Sequence, residues 1–193
     1  MFNIPNILTM ARIAAIPLIV VAYYLPYTWA NDAAAVLFIL AAVTDWLDGY
    51  LARKWDQTSP FGAFLDPVAD KLMVAAALVL LVADSQSQAM SISPMLLNAV
   101  VIIILGREIT ISALREWMAE LGKRSNVAVS FIGKLKTAAQ MTAIPVMLIG
   151  DLNWFGYPCF RTGEILLYIA AALTLWSMMV YLKAAWPALK GQG

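Results

Sequence analysis

Hydrophobic residues run along this chain in long stretches, separated by brief polar or proline-containing breaks. Six segments stand out, near 7–26, 33–53, 63–83, 95–120, 134–150 and 163–186. Each falls within or above the ~17–25 residues that a helix needs to cross the hydrocarbon core of a bilayer. No run alternates with the period of two that a membrane barrel demands, so strands are not expected. The pattern predicts an all-α polytopic membrane protein, one domain over residues 1–193, with about six transmembrane helices.

The breaks give an orientation. Those after the first, third and fifth segments hold a single basic residue, Arg161. The opposite side collects Arg53, Lys54, Lys123, Arg124, Lys134, Lys136, Lys183 and Lys190. Basic loops stay in the cytoplasm, which predicts that both termini are cytoplasmic. Trp29, Trp154 and Trp186 fall near segment ends, as an interfacial belt would place them. The first segment is expected to be retained, because it contains Arg12, follows no basic stretch and shows no small-residue cleavage pattern. The second and fourth segments behave differently from lipid-facing helices. Apolar runs pass directly into Thr44-Asp45-Trp46-Leu47-Asp48-Gly49 and into Gly106-Arg107-Glu108 with the helical pattern unbroken. Such ends are expected to line a polar cavity open to the cytoplasm.

Composition supports the membrane class and removes others. Hydrophobic residues make up 62% and charged residues 13% of the chain, far from the roughly 25% charged of a soluble domain. The formal net charge of +1 with no dominant basic patch argues against a nucleic-acid partner. Histidine is absent, so proton transfer near neutral pH falls to carboxylates, lysine, tyrosine or water. The one cysteine, Cys159, sits beside Pro158 in an expected loop and excludes an internal disulfide framework.

The chemistry concentrates between Asp45 and Asp70. Asp45 and Asp48 are three apart and Asp66 and Asp70 four apart, so each pair shares a helix face. A short polar connection predicts that the two helices are antiparallel neighbours with their carboxylates at one depth. Four carboxylates beside a low-dielectric medium require a counter-charge. Hard, oxygen-seeking divalent cations such as Mg²⁺ or Mn²⁺ answer that requirement. Gly49, Ala52 and Gly62 leave room for a ligand to approach the backbone, and Arg53 offers a fork suited to phosphate or a base edge. Taken singly, these residues also read as helix-end charges, packing glycines and a snorkelling arginine. Their joint spacing favours a site.

That spacing, Asp45-x2-Asp48-Gly49-x2-Ala52-Arg53-x8-Gly62-x3-Asp66-x3-Asp70, resembles the signature of the CDP-alcohol phosphatidyltransferases. The resemblance implies a six-helix membrane enzyme whose four aspartates, Asp45, Asp48, Asp66 and Asp70, bind two divalent ions. A CDP-linked lipid lies across the metals and an alcohol displaces CMP. It also implies a nucleotide subsite at Gly49, Ala52, Arg53, Thr58 and Gly62, with Asp70 as the candidate general base. Homodimerisation is a further family expectation.

Three other stretches bear on the alcohol. Asn3-Ile4-Pro5-Asn6-Ile7-Leu8-Thr9-x2-Arg12, Gly106-Arg107-Glu108-Ile109 through Leu114-Arg115-Glu116-Trp117, and Gly133-Lys134-Leu135-Lys136-Thr137-x2-Gln140 resemble the branch that forms phosphatidylglycerol phosphate. Arg107 and Arg115 lie two helical turns apart on one face, and Lys134 and Lys136 open a helix, where phosphate is favoured. These four cations suit an acceptor carrying its own phosphate, sn-glycerol 3-phosphate, with CDP-diacylglycerol as donor. The implied setting is a bacterial inner membrane, with the site facing the cytoplasm among membrane lipids. A phosphatidyltransferase using another alcohol, or a membrane cation transporter, are the competing readings. A simple ion pairing of Arg115 with nearby glutamates, or a purely topological role for Lys134 and Lys136, stands beside the phosphate role.

Overall fold

The computed structural model describes residues 4–55, 59–120, 131–150 and 158–189. Among these residues it is all-α, with helices α1 (Ile4–Tyr23), α2 (Ala30–Lys54), α3 (Pro60–Ala83), α4 (Ser85–Met90), α5 (Pro94–Glu120), α6 (Phe131–Ile149) and α7 (Cys159–Leu189). The six expected segments correspond to six of the seven. Two expectations are corrected at their edges. The break at Asp84–Gln88 folds into the short helix α4, because the Asp84 carboxylate accepts a hydrogen bond from the Ser87 backbone N–H at 2.7 Å and caps it. Cys159, expected in a loop, instead opens α7 and is half-buried.

Among the described residues, four helices are long and apolar enough to cross a membrane by length and composition: Asn6–Tyr23, Ala30–Leu51, Pro94–Glu120 and Cys159–Lys183. α3 carries Asp66, Asp70 and Lys71 in its first half, and α6 offers a shorter apolar stretch, Leu135–Ile149. Large apolar side chains such as Leu18, Ile102, Ile109 and Met179 are exposed around the bundle, an arrangement suited to lipid rather than water. Trp29 and Trp186 of the expected aromatic belt are likewise exposed, while Trp154 lies outside the described residues.

The interior is built by α1 packing on α2 and α3, α6 on α7 and α2, and α5 on α7 and α3. Phe38, Met73, Leu78, Leu97, Ile144 and Phe160 are fully buried in its centre. One glycine decides how close two helices come. A Cβ on Gly163 would meet Met147 Cγ at 2.6 Å and the Ala143 carbonyl oxygen at 2.9 Å, so α7 can lie on α6 only without a side chain there. α6 then stops at Gly150, whose φ of 73° closes the helix in the left-handed region that glycine reaches without strain. At this same end the fully buried Glu164 accepts hydrogen bonds from Ser91 Oγ at 2.5 Å, the Ile92 backbone N–H at 2.8 Å and Tyr168 Oη at 2.5 Å. These bonds fix the start of α7 to the α4–α5 junction. The polar ends of α1, α2, α3, α5, α6 and α7 meet at the other end of the bundle.

Candidate active site

The aspartates meet through α1. The expectation that α2 and α3 pack as direct neighbours is corrected: they touch only marginally, and α1 packs against both. From it comes Arg12, whose side chain has no solvent exposure. Its Nη1 reaches Asp45 at 2.6 Å and Asp70 at 2.5 Å, and its Nη2 bonds Asp48. One turn earlier the Thr9 hydroxyl stands 2.8 Å from Asp66 Oδ1 and 3.3 Å from Asp48 Oδ2. Thus all four expected aspartates are gathered by two α1 side chains. Asp48 is nearly sealed, with 3% of its side chain exposed, whereas Asp45 and Asp70 keep 36% and 37%.

Among the described residues, no three acidic side chains converge closely enough to grip a single ion as they stand, since the Arg12 guanidinium bridges Asp45, Asp48 and Asp70. The donor set nevertheless fits hard divalent cations. It is dominated by carboxylate oxygens, and among the described residues a single guanidinium is shared by three of the four aspartates.

Gly62 lies where α1 comes close to α3. A Cβ there would meet Asn6 Oδ1 at 2.5 Å and Ser59 Oγ at 3.2 Å, so the missing side chain lets Asn6 approach. Asn6 and Ser59 exchange hydrogen bonds at 3.0 and 3.1 Å, and Ser59 accepts from the Gly62 backbone N–H at 3.0 Å as the cap of α3. This clasp sets how α1 and α3 approach, and through them the aspartates. Gly49 follows Asp48 on α2 and is half-buried. The side chains of Ala52, Arg53 and Lys134 lie outside the described residues, as does all of Thr58.

Beside the aspartates opens a cavity of about 310 Å³. α3 contributes Asp70, Lys71 and Val74, α5 contributes Arg107, Glu108, Ile111 and Arg115, and α6 contributes Gly133, Lys136, Thr137 and Gln140. The α6 residues recur every three or four positions, which makes them one helix face. Arg107, Arg115 and Lys136 therefore come together as expected, and of the four clustered aspartates it is Asp70 that lines this space. Lys71 joins them unforeseen. Arg107 is held by Ser177 at 2.8 Å, by Glu108 at 3.3 Å and by the Tyr181 ring at 5.8 Å from its centroid. Lys136 is buried and pairs with Glu108. Among the described residues four cations and two acids line the cavity, an excess of positive charge that suits a phosphate monoester.

Residues 2–176 match the CDP-alcohol phosphatidyltransferase family. The chain belongs to that family. It is 53% identical over 184 residues, 95% of either chain, to the CDP-diacylglycerol–glycerol-3-phosphate 3-phosphatidyltransferase of Escherichia coli K12. The proteins of the same name from Shigella flexneri and Shigella sonnei share the same identity and coverage. For a CDP-alcohol phosphatidyltransferase, the α1 residues Thr9 and Arg12 are the parts of the aspartate site that reading the acidic spacing alone missed. Their signal lay in the sequence: an arginine inside an apolar membrane segment seeks an acidic partner.

Proposed function

We propose that the chain transfers the phosphatidyl group of CDP-diacylglycerol to sn-glycerol 3-phosphate, giving phosphatidylglycerol phosphate and CMP. The observation that carries this reading is the position of Asp70, which is bonded to Arg12 within the aspartate cluster and also lines the cationic cavity. A group at that junction touches both substrates. The cavity holds the acceptor phosphate through Lys71, Arg107, Arg115 and Lys136, with Lys134 adding charge at the same helix start. Gly49, Ala52, Arg53 and Thr58 serve the nucleotide.

In this mechanism the primary hydroxyl oxygen of the acceptor attacks the lipid-side phosphorus of the diphosphate. A P–O bond forms there, the P–O bond to the CMP oxygen breaks, and its electron pair leaves with CMP. Asp70 accepts the hydroxyl proton, and Arg12 keeps the Asp70 carboxylate turned to the reacting centre. Mg²⁺ or Mn²⁺, two ions held by Asp45, Asp48, Asp66 and Asp70, would offset the charge that develops on the diphosphate oxygens. No covalent phospho-enzyme is required.

The test is CMP release by purified protein with CDP-diacylglycerol, Mg²⁺ and a panel of alcohols. Turnover with glycerol 3-phosphate and not with glycerol, serine or inositol is expected; preference for any of those three overturns the acceptor. Arg115 is exposed and lines the cavity, so Arg115→Gln should leave the fold intact. A lost charge-assisted bond at such a site should raise KM for glycerol 3-phosphate about 10-fold and leave KM for CDP-diacylglycerol nearly unchanged. Equal shifts in both would separate Arg115 from the acceptor.

We further propose six membrane spans in a bacterial inner membrane, as a single domain and a homodimer, with termini and site on the cytoplasmic side. The charge asymmetry of the loops supports this orientation. Lys54 is exposed at the end of α2. With Cys159 replaced by Ser, a Lys54→Cys variant in intact cells should resist a membrane-impermeant maleimide until the inner membrane is opened. Labelling of intact spheroplasts would reverse the orientation.

A further inference from the structure

With the cavity's cations on phosphate and Asp70 on the reacting hydroxyl, Gln140 is left without a role. Gln140 lies one helical turn beyond Lys136 on α6 and lines the same cavity, yet is only 4% exposed. Its Oε1 is sealed from solvent and has no hydrogen-bond partner among the described residues. Buried amide oxygens are nearly always bonded, so an unbonded one on a cavity-lining residue points to a ligand group that the amide meets by turning about its terminal bond. The two amide atoms can exchange places by rotation, and either way the amide offers both donor and acceptor to a hydroxyl.

The acceptor's own shape identifies that hydroxyl. In glycerol 3-phosphate the phosphate goes to the cations and the primary hydroxyl to Asp70, which leaves only the hydroxyl on C2. Those two anchors fix a line through the molecule but not its hand. In the mirror-image sn-glycerol 1-phosphate, held by the same anchors, the C2 hydroxyl and hydrogen change sides. Telling the two apart requires a third contact at C2.

We propose that Gln140 hydrogen-bonds the C2 hydroxyl of the acceptor and thereby makes the site select sn-glycerol 3-phosphate over its enantiomer. The inference rests on the acceptor reading above. It makes Gln140 a specificity-determining residue, distinct from the groups that bind phosphate or move the proton.

The experiment measures kcat/KM for CMP release with sn-glycerol 3-phosphate, sn-glycerol 1-phosphate and achiral 3-hydroxypropyl phosphate, which lacks the C2 hydroxyl. The native protein should prefer the first over both others by about 10-fold or more, since a site built to bond a hydroxyl rejects analogues that cannot offer it. In Gln140→Met, of similar length and without the amide, both preferences should shrink by about the same factor. A merely structural role would lower all three values together and leave their ratios unchanged, which overturns the proposal. Should the variant fail to fold, the native ratios still decide: equal kcat/KM for glycerol 3-phosphate and 3-hydroxypropyl phosphate excludes a C2 contact. If no phosphate-bearing acceptor turns over while a neutral alcohol does, the acceptor reading itself falls and this inference with it.

Discussion

Asp70→Asn is expected to lower kcat for CMP release by about 10²–10⁴-fold, the usual worth of a positioned general base. Asn has the same shape and can still accept a bond from Arg12, so the cluster should hold together. It cannot take the proton of the attacking hydroxyl. KM for glycerol 3-phosphate should change only a few-fold, because the cavity's net charge becomes more positive and the cations remain. This separates Asp70 from Asp48, which is nearly sealed and does not line the cavity. Asp48→Asn should reduce activity through the lipid-nucleotide side, with its effect visible in KM for CDP-diacylglycerol. The measurement is initial-rate kinetics in both substrates on protein whose helical content and melting are checked first. An Asp70→Asn variant within 10-fold of the native kcat would show that the proton leaves by another route.

Much of this arrangement was legible in the sequence, for identifiable reasons. The six long helices follow from apolar run length, and the pairing of Asp45 with Asp48 and of Asp66 with Asp70 from helical spacing. Arg107, Arg115 and Lys136 meet in one cavity, as their placement at the polar helix ends implied. What spacing could not give was the third helix. Nothing local to α2 or α3 says that α1 packs against both, so the sequence presents Arg12 and Thr9 as a motif and not as the centre of the carboxylates. The same holds for Gly62: only the tertiary approach of Asn6 shows what lies where its side chain would be. Glu108 is a similar case. In sequence it adjoins Arg107, but its bond to Lys136 joins residues on different helices, so the cavity is less positive than a count of its cations suggests. The α4 cap at Asp84 is local and could have been found, since an aspartate at the end of an apolar run, followed by small polar residues, is a helix-start signal.

Arg12→Met should have the largest effect on stability. The guanidinium is fully buried and bonds three carboxylates, Asp45, Asp48 and Asp70. Methionine fills comparable volume but leaves those acids facing each other, with the Thr9 hydroxyl still reaching Asp48 among them. Breaking a buried ion pair from one side costs about 3–5 kcal/mol. For a chain of this size that corresponds to a drop in melting temperature on the order of 10 °C. Measured in detergent with EDTA, the variant should show that loss. The same acids supply the reason to expect rescue. If Asp45, Asp48, Asp66 and Asp70 hold divalent ions, Mg²⁺ or Mn²⁺ takes over the counter-charge and stabilises the folded state by binding it selectively. Adding either ion should therefore raise the melting temperature of Arg12→Met by more than that of the native protein, where Arg12 already neutralises part of the cluster. CMP release by the native protein should vanish in EDTA and return with either ion. A variant as stable as the native chain in EDTA would remove Arg12 as the counter-charge. A variant that is destabilised but indifferent to divalent ions would instead show that the four aspartates do not bind them, and the two-ion reading would fail while the role of Arg12 stood.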